Sequence, residues 1–81
     1  MTGKQRAAPK NKRQFKAWAY HAFMRANPDA DNISFRWTHC ERVEWADKTA
    51  GWSGVATVSA TGFRTRRVVA SFHIESGLSV R

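Results

Sequence analysis

The hydrophobic pattern changes period at residues 28–32, and that change limits the folds open to this chain more than any other feature. Upstream, Phe15, Trp18, Ala19, Ala22, Phe23 and Ala26 recur at the spacing of one helix face, with Lys16, Tyr20, His21, Met24 and Arg25 opposite. Downstream, Ile33, Phe35, Trp37, Val43 and Trp45 take alternate positions, with His39 and Glu41 in the same row. Ser34, Arg36, Thr38, Cys40, Arg42 and Glu44 make the other row, as in a strand with one buried face. A helical stripe and a sheet face both need cover, and in 81 residues each is the cover for the other.

Local signals set the boundaries. Asn11 offers a side-chain cap, and Gln14 stands where it completes a capping box. Asn27-Pro28 ends the helix, because a residue before proline avoids the helical region, so the helix is predicted over about residues 12–27. Pro28 to Asn32 is a turn-forming linker. The strand that follows is too long to stay flat against such a helix, and a bulge or bend is expected near its middle.

Two more strands are predicted, at about residues 51–59 and 63–75, and their register follows from what must be buried. Val68, Ala70, Phe72 and Ile74 share a face. A two-residue Thr61-Gly62 turn would turn Trp52 away from it. A three-residue Ala60-Thr61-Gly62 loop, with Gly62 left-handed, pairs Trp52 with Ala70 and Gly54 with Val68 and buries the indole. A four-residue loop from Asp47 to Ala50 likewise sets Trp45 opposite Trp52 and Val43 opposite Gly54. All four tryptophans then fall in the core. The expected fold is α+β, one N-terminal helix packed on a three-stranded antiparallel meander (α-β-β-β), with Leu78 and Val80 as a closing flap. Residues 11–81 form one small domain, and residues 1–10, with Gly3, Pro9 and no apolar period, form a basic arm that is disordered when free.

Charge says most about partners. Fourteen Lys and Arg against six Asp and Glu leave a formal +8, and residues 1–16 carry +6 of it with no acid. A basic arm on a nearly neutral body is the footprint of a protein that meets phosphates or an acidic surface. Lys4, Arg6 and Lys10 in the arm can neutralise phosphates without fixed geometry, and Lys12, Arg13 and Lys16 continue the charge onto the helix. Basic groups there oppose the helix macrodipole, so a use for them is implied. A second patch comes from the sheet: Arg36, Arg42 and Arg67 on its open face, Arg64 and Arg66 at the margin of the helix-covered one. Tyr20 and Met24 on the outer helix face are candidates for a partner contact or a homodimer.

Other chemistry has less to build on. His39, Glu41, Arg64 and Arg66 would share a face, an arrangement that serves either as a salt bridge with a satisfied histidine or as a ribonuclease-like base with phosphate-binding arginines. His21, His39, Cys40 and His73 lack metal-ligand spacing, so no metal and no cofactor is expected. Cys40, the single cysteine, excludes an internal disulfide and suits a reducing compartment. No apolar run has the length of a membrane span, and the basic N-terminus does not continue as a signal peptide, so the cytoplasm is the expected location with no membrane partner. The expectation is a non-enzymatic accessory protein that binds DNA or RNA, in the style of phage or mobile-element products. The alternatives are a protein-interaction module that inhibits, redirects or assembles with a partner, and, third, a small ribonuclease or toxin.

Overall fold

A computed structural model describes residues 8–81, so Lys4 and Arg6 lie outside the described residues. One helix, α1 (Lys12–Ala26), is followed by four strands, β1 (Asp31–Glu44), β2 (Ala50–Thr61), β3 (Phe63–His73) and β4 (Gly77–Val80). The strands form one antiparallel sheet in the order β1-β2-β3-β4, a meander with α1 across one face. The predicted flap of Leu78 and Val80 is thus a fourth strand, with Leu78 opposite Phe72 and Val80 opposite Ala70.

The helix ends where its caps place it. Asn11 Oδ1 accepts from the Gln14 N–H at 2.9 Å. Gln14 Oε1 reaches back to the Lys10 N–H at 2.7 Å, one residue before the position a capping box would use. At the other end the Asn27 backbone N–H and side-chain amide both donate to the Phe23 carbonyl, each at 3.0 Å. Phe15, Ala19 and Phe23 are the buried stripe. They rest on Trp52, Ala56, Val58, Val68, Ala70 and Phe72 of β2 and β3, with Trp18, Phe35 and Trp37 closing the sides. Aromatic contacts hold the layers together, with Phe15 stacked on Trp52 at 5.8 Å and Trp18 edge-on to Phe72 at 6.0 Å.

The expected bulge is present at Thr38: Trp37 pairs with Ala56 and His39 with Val55. Its effect goes beyond a bend. One extra residue in β1 exchanges the faces, so Ile33, Phe35 and Trp37 point at the helix before it, and Cys40 and Arg42 after it. Val43, Trp45, His39 and Glu41 therefore move to the open face. A second irregularity, near Asn32 (φ 53°), starts the strand.

Both predicted hairpin registers need correction. The β1–β2 loop has three residues, Ala46-Asp47-Lys48, not four. The Lys48 N–H donates to the Trp45 carbonyl (2.8 Å), Lys48 takes φ 73°, and the Trp45 N–H closes on the Thr49 carbonyl (2.8 Å). Val43 consequently faces Gly51 rather than Gly54, and Trp52 faces Arg42 rather than Trp45. The β2–β3 connection is the two-residue Thr61-Gly62 turn, with Ala60 opposite Phe63 and Gly62 at φ 83°. An extra β3 residue between Phe63 and Arg66 then restores the face, so Trp52 is buried as expected, but opposite Phe72 rather than Ala70.

The N-terminal boundary also moves. Pro9 is buried, and its carbonyl accepts from Trp52 Nε1 at 3.1 Å. A chain cut after Lys10 would lose that acceptor, so the folded body starts before Asn11.

Candidate nucleic-acid interface

Ten of the twelve described cationic side chains occupy three places. On the helix side, along the β1 margin, Lys16 Nζ lies 5.8 Å from the Trp37 ring centre and the Arg42 guanidinium 5.5 Å from that of Trp52. Alternation predicts Arg42 on the open face; the Thr38 bulge puts it here. Lys12 and Lys16 both act electrostatically on Cys40 of β1. The long stems of Lys16 and Arg42 shield aromatic surface while the charged ends stay in water. Lys10 and Arg13 are exposed beside them at the start of α1.

The second place is the opposite margin of that face. Arg64 and Arg66 line a concavity of about 280 Å³ with Phe23, Asn27 and Val58, and the Arg66 guanidinium sits 6.0 Å from the Phe23 ring centre. Both stand at the margin where alternation predicts them. The third place is the open face. Arg36 and Arg67 are both in register with Thr57 and stand on either side of it, roughly 10 Å apart across the middle strand. Arg81 continues this set, since its backbone pairs with Val69 through two 2.9 Å hydrogen bonds. Arg81 is not among the candidates the sequence singles out. Nothing about its isolated position in the chain shows that β4 brings it beside β3.

The rest of the open face is mostly small and polar, with Ser53, Thr57, Ser59, Ser71 and Ser79 around the half-buried Val55 and the exposed Val69. At one end lies a concavity of about 530 Å³ lined by Trp45, Val69, Ser71, His73, Ser79 and Arg81. Trp45 is its one aromatic wall besides His73, a correction to the expectation that every tryptophan is core.

The loop behind Trp45 is cross-braced. Asp47 Oδ1 accepts from the Thr49 hydroxyl (2.6 Å) and amide (3.1 Å), and Asp47 Oδ2 lies 2.8 Å from His73 Nε2. The Glu75 N–H donates to His73 Nδ1 at 3.1 Å, which leaves the ring proton on Nε2, directed at Asp47. The Thr49 hydrogen bonds, with a smaller contribution from His73, hold the Asp47 carboxyl down at about 2. Asp47, His73 and Glu75 bring ligand-type atoms within 4.8 Å of one another. Both imidazole nitrogens are already engaged, so a metal would have to displace a hydrogen bond to bind there.

The expected His39, Glu41, Arg64 and Arg66 cluster does not assemble. His39 and Glu41 contact each other at 3.4 Å on the open face, and the two arginines lie on the helix side. Cys40 is half-buried; burial pushes its thiol up, Lys16 and Lys12 pull against that, and Glu41 adds to it. Tyr20 leans edge-on against Phe35 at 5.9 Å and is half-buried, whereas Met24 is exposed. No helix among the described residues is long and apolar enough to cross a membrane. No family model matches this chain, and no curated protein and no solved structure matches it.

Proposed function

We propose that this protein binds nucleic acid, with its basic N-terminal segment and helix start anchoring phosphates and the arginines of the sheet orienting the complex. One observation carries the reading. Among the described residues both acid–base contacts are made by histidines, His39 with Glu41 and His73 with Asp47, and no Lys or Arg pairs with a carboxylate. Fourteen Lys and Arg less Lys4 and Arg6 leave twelve described cations with their charge unneutralised by the fold. Intramolecular stability does not explain that many unpaired cations, whereas counterion release on a polyanion uses each of them.

The test is binding of a labelled duplex and a labelled single strand by fluorescence anisotropy. Deleting residues 1–7, which removes Lys4 and Arg6, is expected to weaken binding to all sequences alike. It should also reduce the salt slope by about 0.9 for each duplex phosphate no longer neutralised. Arg36→Ala with Arg67→Ala is expected to give a smaller decrease that depends on the form of the ligand. Absence of binding by the intact protein at low salt sinks the proposal.

A second reading has its own support. Among the described residues, β4 reaches only Val69–His73 of β3, and the outer edge of β3 from Phe63 to Val68 has no strand partner. Phe63 is exposed on it beside Arg64, Arg66 and Arg67. Such an edge suits an extended acidic segment of another protein, added as a further strand. Retention of a protein partner after nuclease treatment, abolished by proline substitution at Thr65, is the outcome that favours it.

A further inference from the structure

We infer that the concavity beside Trp45 is a seat for one unpaired nucleotide of a single strand, its base against the Trp45 ring and its phosphodiester on Arg81. This rests on the nucleic-acid reading and sharpens it from a charge preference to a strand preference. Trp45 is held in place before any ligand arrives. Its Nε1 donates to the Phe72 carbonyl at 3.0 Å, and the indole crosses the bare backbone of Gly51 to get there. A Cβ at Gly51 would collide with the indole nitrogen and with that carbonyl, so glycine is what lets the ring lie down. With its only polar atom satisfied within the fold, the half-buried ring offers a ligand a π surface and nothing else. A fixed aromatic platform of this kind stacks bases of any identity at little cost in side-chain entropy.

The polarity of the seat sets the ligand's direction. At the His73 end stand Asp47 and Glu75, which repel a phosphate. At the other end the Arg81 side chain is bonded, among the described residues, only to the Ser79 hydroxyl, Nε to Oγ at 3.2 Å, and its guanidinium has no acid partner among them. Ser71 and Ser79 supply hydroxyls between the two ends. From Arg81 the cations continue on the same face to Arg67 and Arg36, a track for the phosphates that follow. Glu41, on the same face, stands on β1 three strands from Ser79 and is held by His39. A duplex keeps its bases stacked inside and has none to give Trp45.

The experiment compares a fluorescein-labelled oligothymidylate with a duplex of equal length, using the full chain. Trp45→Leu keeps apolar volume without a π face and is expected to weaken single-strand binding by roughly 5- to 150-fold. Its duplex affinity should stay within about twofold, since a duplex places no base on the ring. Trp45→Phe, which gives up the indole N–H but keeps a ring, should retain most single-strand affinity. Arg81→Ala should flatten the single-strand salt slope by about 0.7. Circular dichroism of each variant guards against unfolding. Equal single-strand affinity of Trp45→Leu and the parent overturns the inference while leaving the nucleic-acid reading standing. Failure of the parent to bind either probe removes both.

Discussion

The two faces of the sheet are built from the same strands and carry opposite chemistries. The helix side gathers Trp37, Trp52, Val58, Val68 and Phe72 under Phe15, Ala19 and Phe23. The open side carries hydroxyls, three arginines and one ordered indole, Trp45. Alternation alone would give each strand a fixed face from end to end. In β1 the Thr38 bulge breaks that rule midway, so its first half contributes Phe35 and Trp37 to the core and its second half turns Val43, and Trp45 just beyond its end, to the open face. One residue's worth of backbone therefore divides the aromatics of this strand between stability and an exposed site.

The largest expected effect tests whether stability lives on one face. Phe72→Ala empties a fully packed site and should cost about 3–5 kcal/mol, a large part of what a small domain has. Val69→Ser on the open face, only half covered, should cost well under that, about 0.5 kcal/mol. Chemical denaturation midpoints of the two variants decide it. Similar decreases would mean that both faces are core.

Next in size is the bulge itself. Gly54 sits on the helix side, where an added Cβ would come 2.8 Å from both the His39 carbonyl and Trp37 Cζ3. Gly54→Ala should cost about 1–3 kcal/mol, as overpacking against backbone does, and should disturb the Trp37 and His39 signals by NMR. A silent substitution would show that the bulge is not braced by this approach.

Smaller still is the loop that presents Trp45. Its Asp47 carboxyl titrates at about 2 rather than at the ordinary 3.8. The stabilisation it lends is therefore complete above pH ~4 and disappears as pH falls through about 2. The carboxyl carbon shift of Asp47 should follow that midpoint, and Thr49→Val should move it upward. A midpoint of 3.8 in the parent would mean that the Thr49 bonds do not form in solution.

Some of this is legible in the sequence, and the rest is concealed for identifiable reasons. Asn11 and Asn27-Pro28 announce the helix ends because caps act locally, through neighbouring backbone groups. The length of β1 announces a bulge, but not that the residues beyond it trade faces. The β1–β2 loop misleads because its left-handed position is filled by Lys48, where glycine or asparagine would be the visible sign. A clue is present in Asp47-Lys48-Thr49, whose side chains can close a turn on themselves, as they do here. At the β2–β3 turn two irregularities offset each other. The two-residue Thr61-Gly62 connection alone would expel Trp52, which is why burial argues for a longer loop, and an extra residue in β3 brings Trp52 back. Of the candidate site, Arg36, Arg64, Arg66 and Arg67 stand where alternation places them, and Arg42 follows the bulge to the other face. Trp45 and Arg81 need the three-dimensional fold to be seen.

The salt dependence of binding by the intact protein bears most directly on the proposal that these cations serve a polyanion. Affinity for a labelled nucleic acid, measured between about 50 and about 200 mM salt, should fall by roughly 10³–10⁵ if six to ten phosphates are engaged, with log K linear in log salt. A flat plot, or no binding at the low-salt end, would contradict it and leave the charged surface to a protein partner.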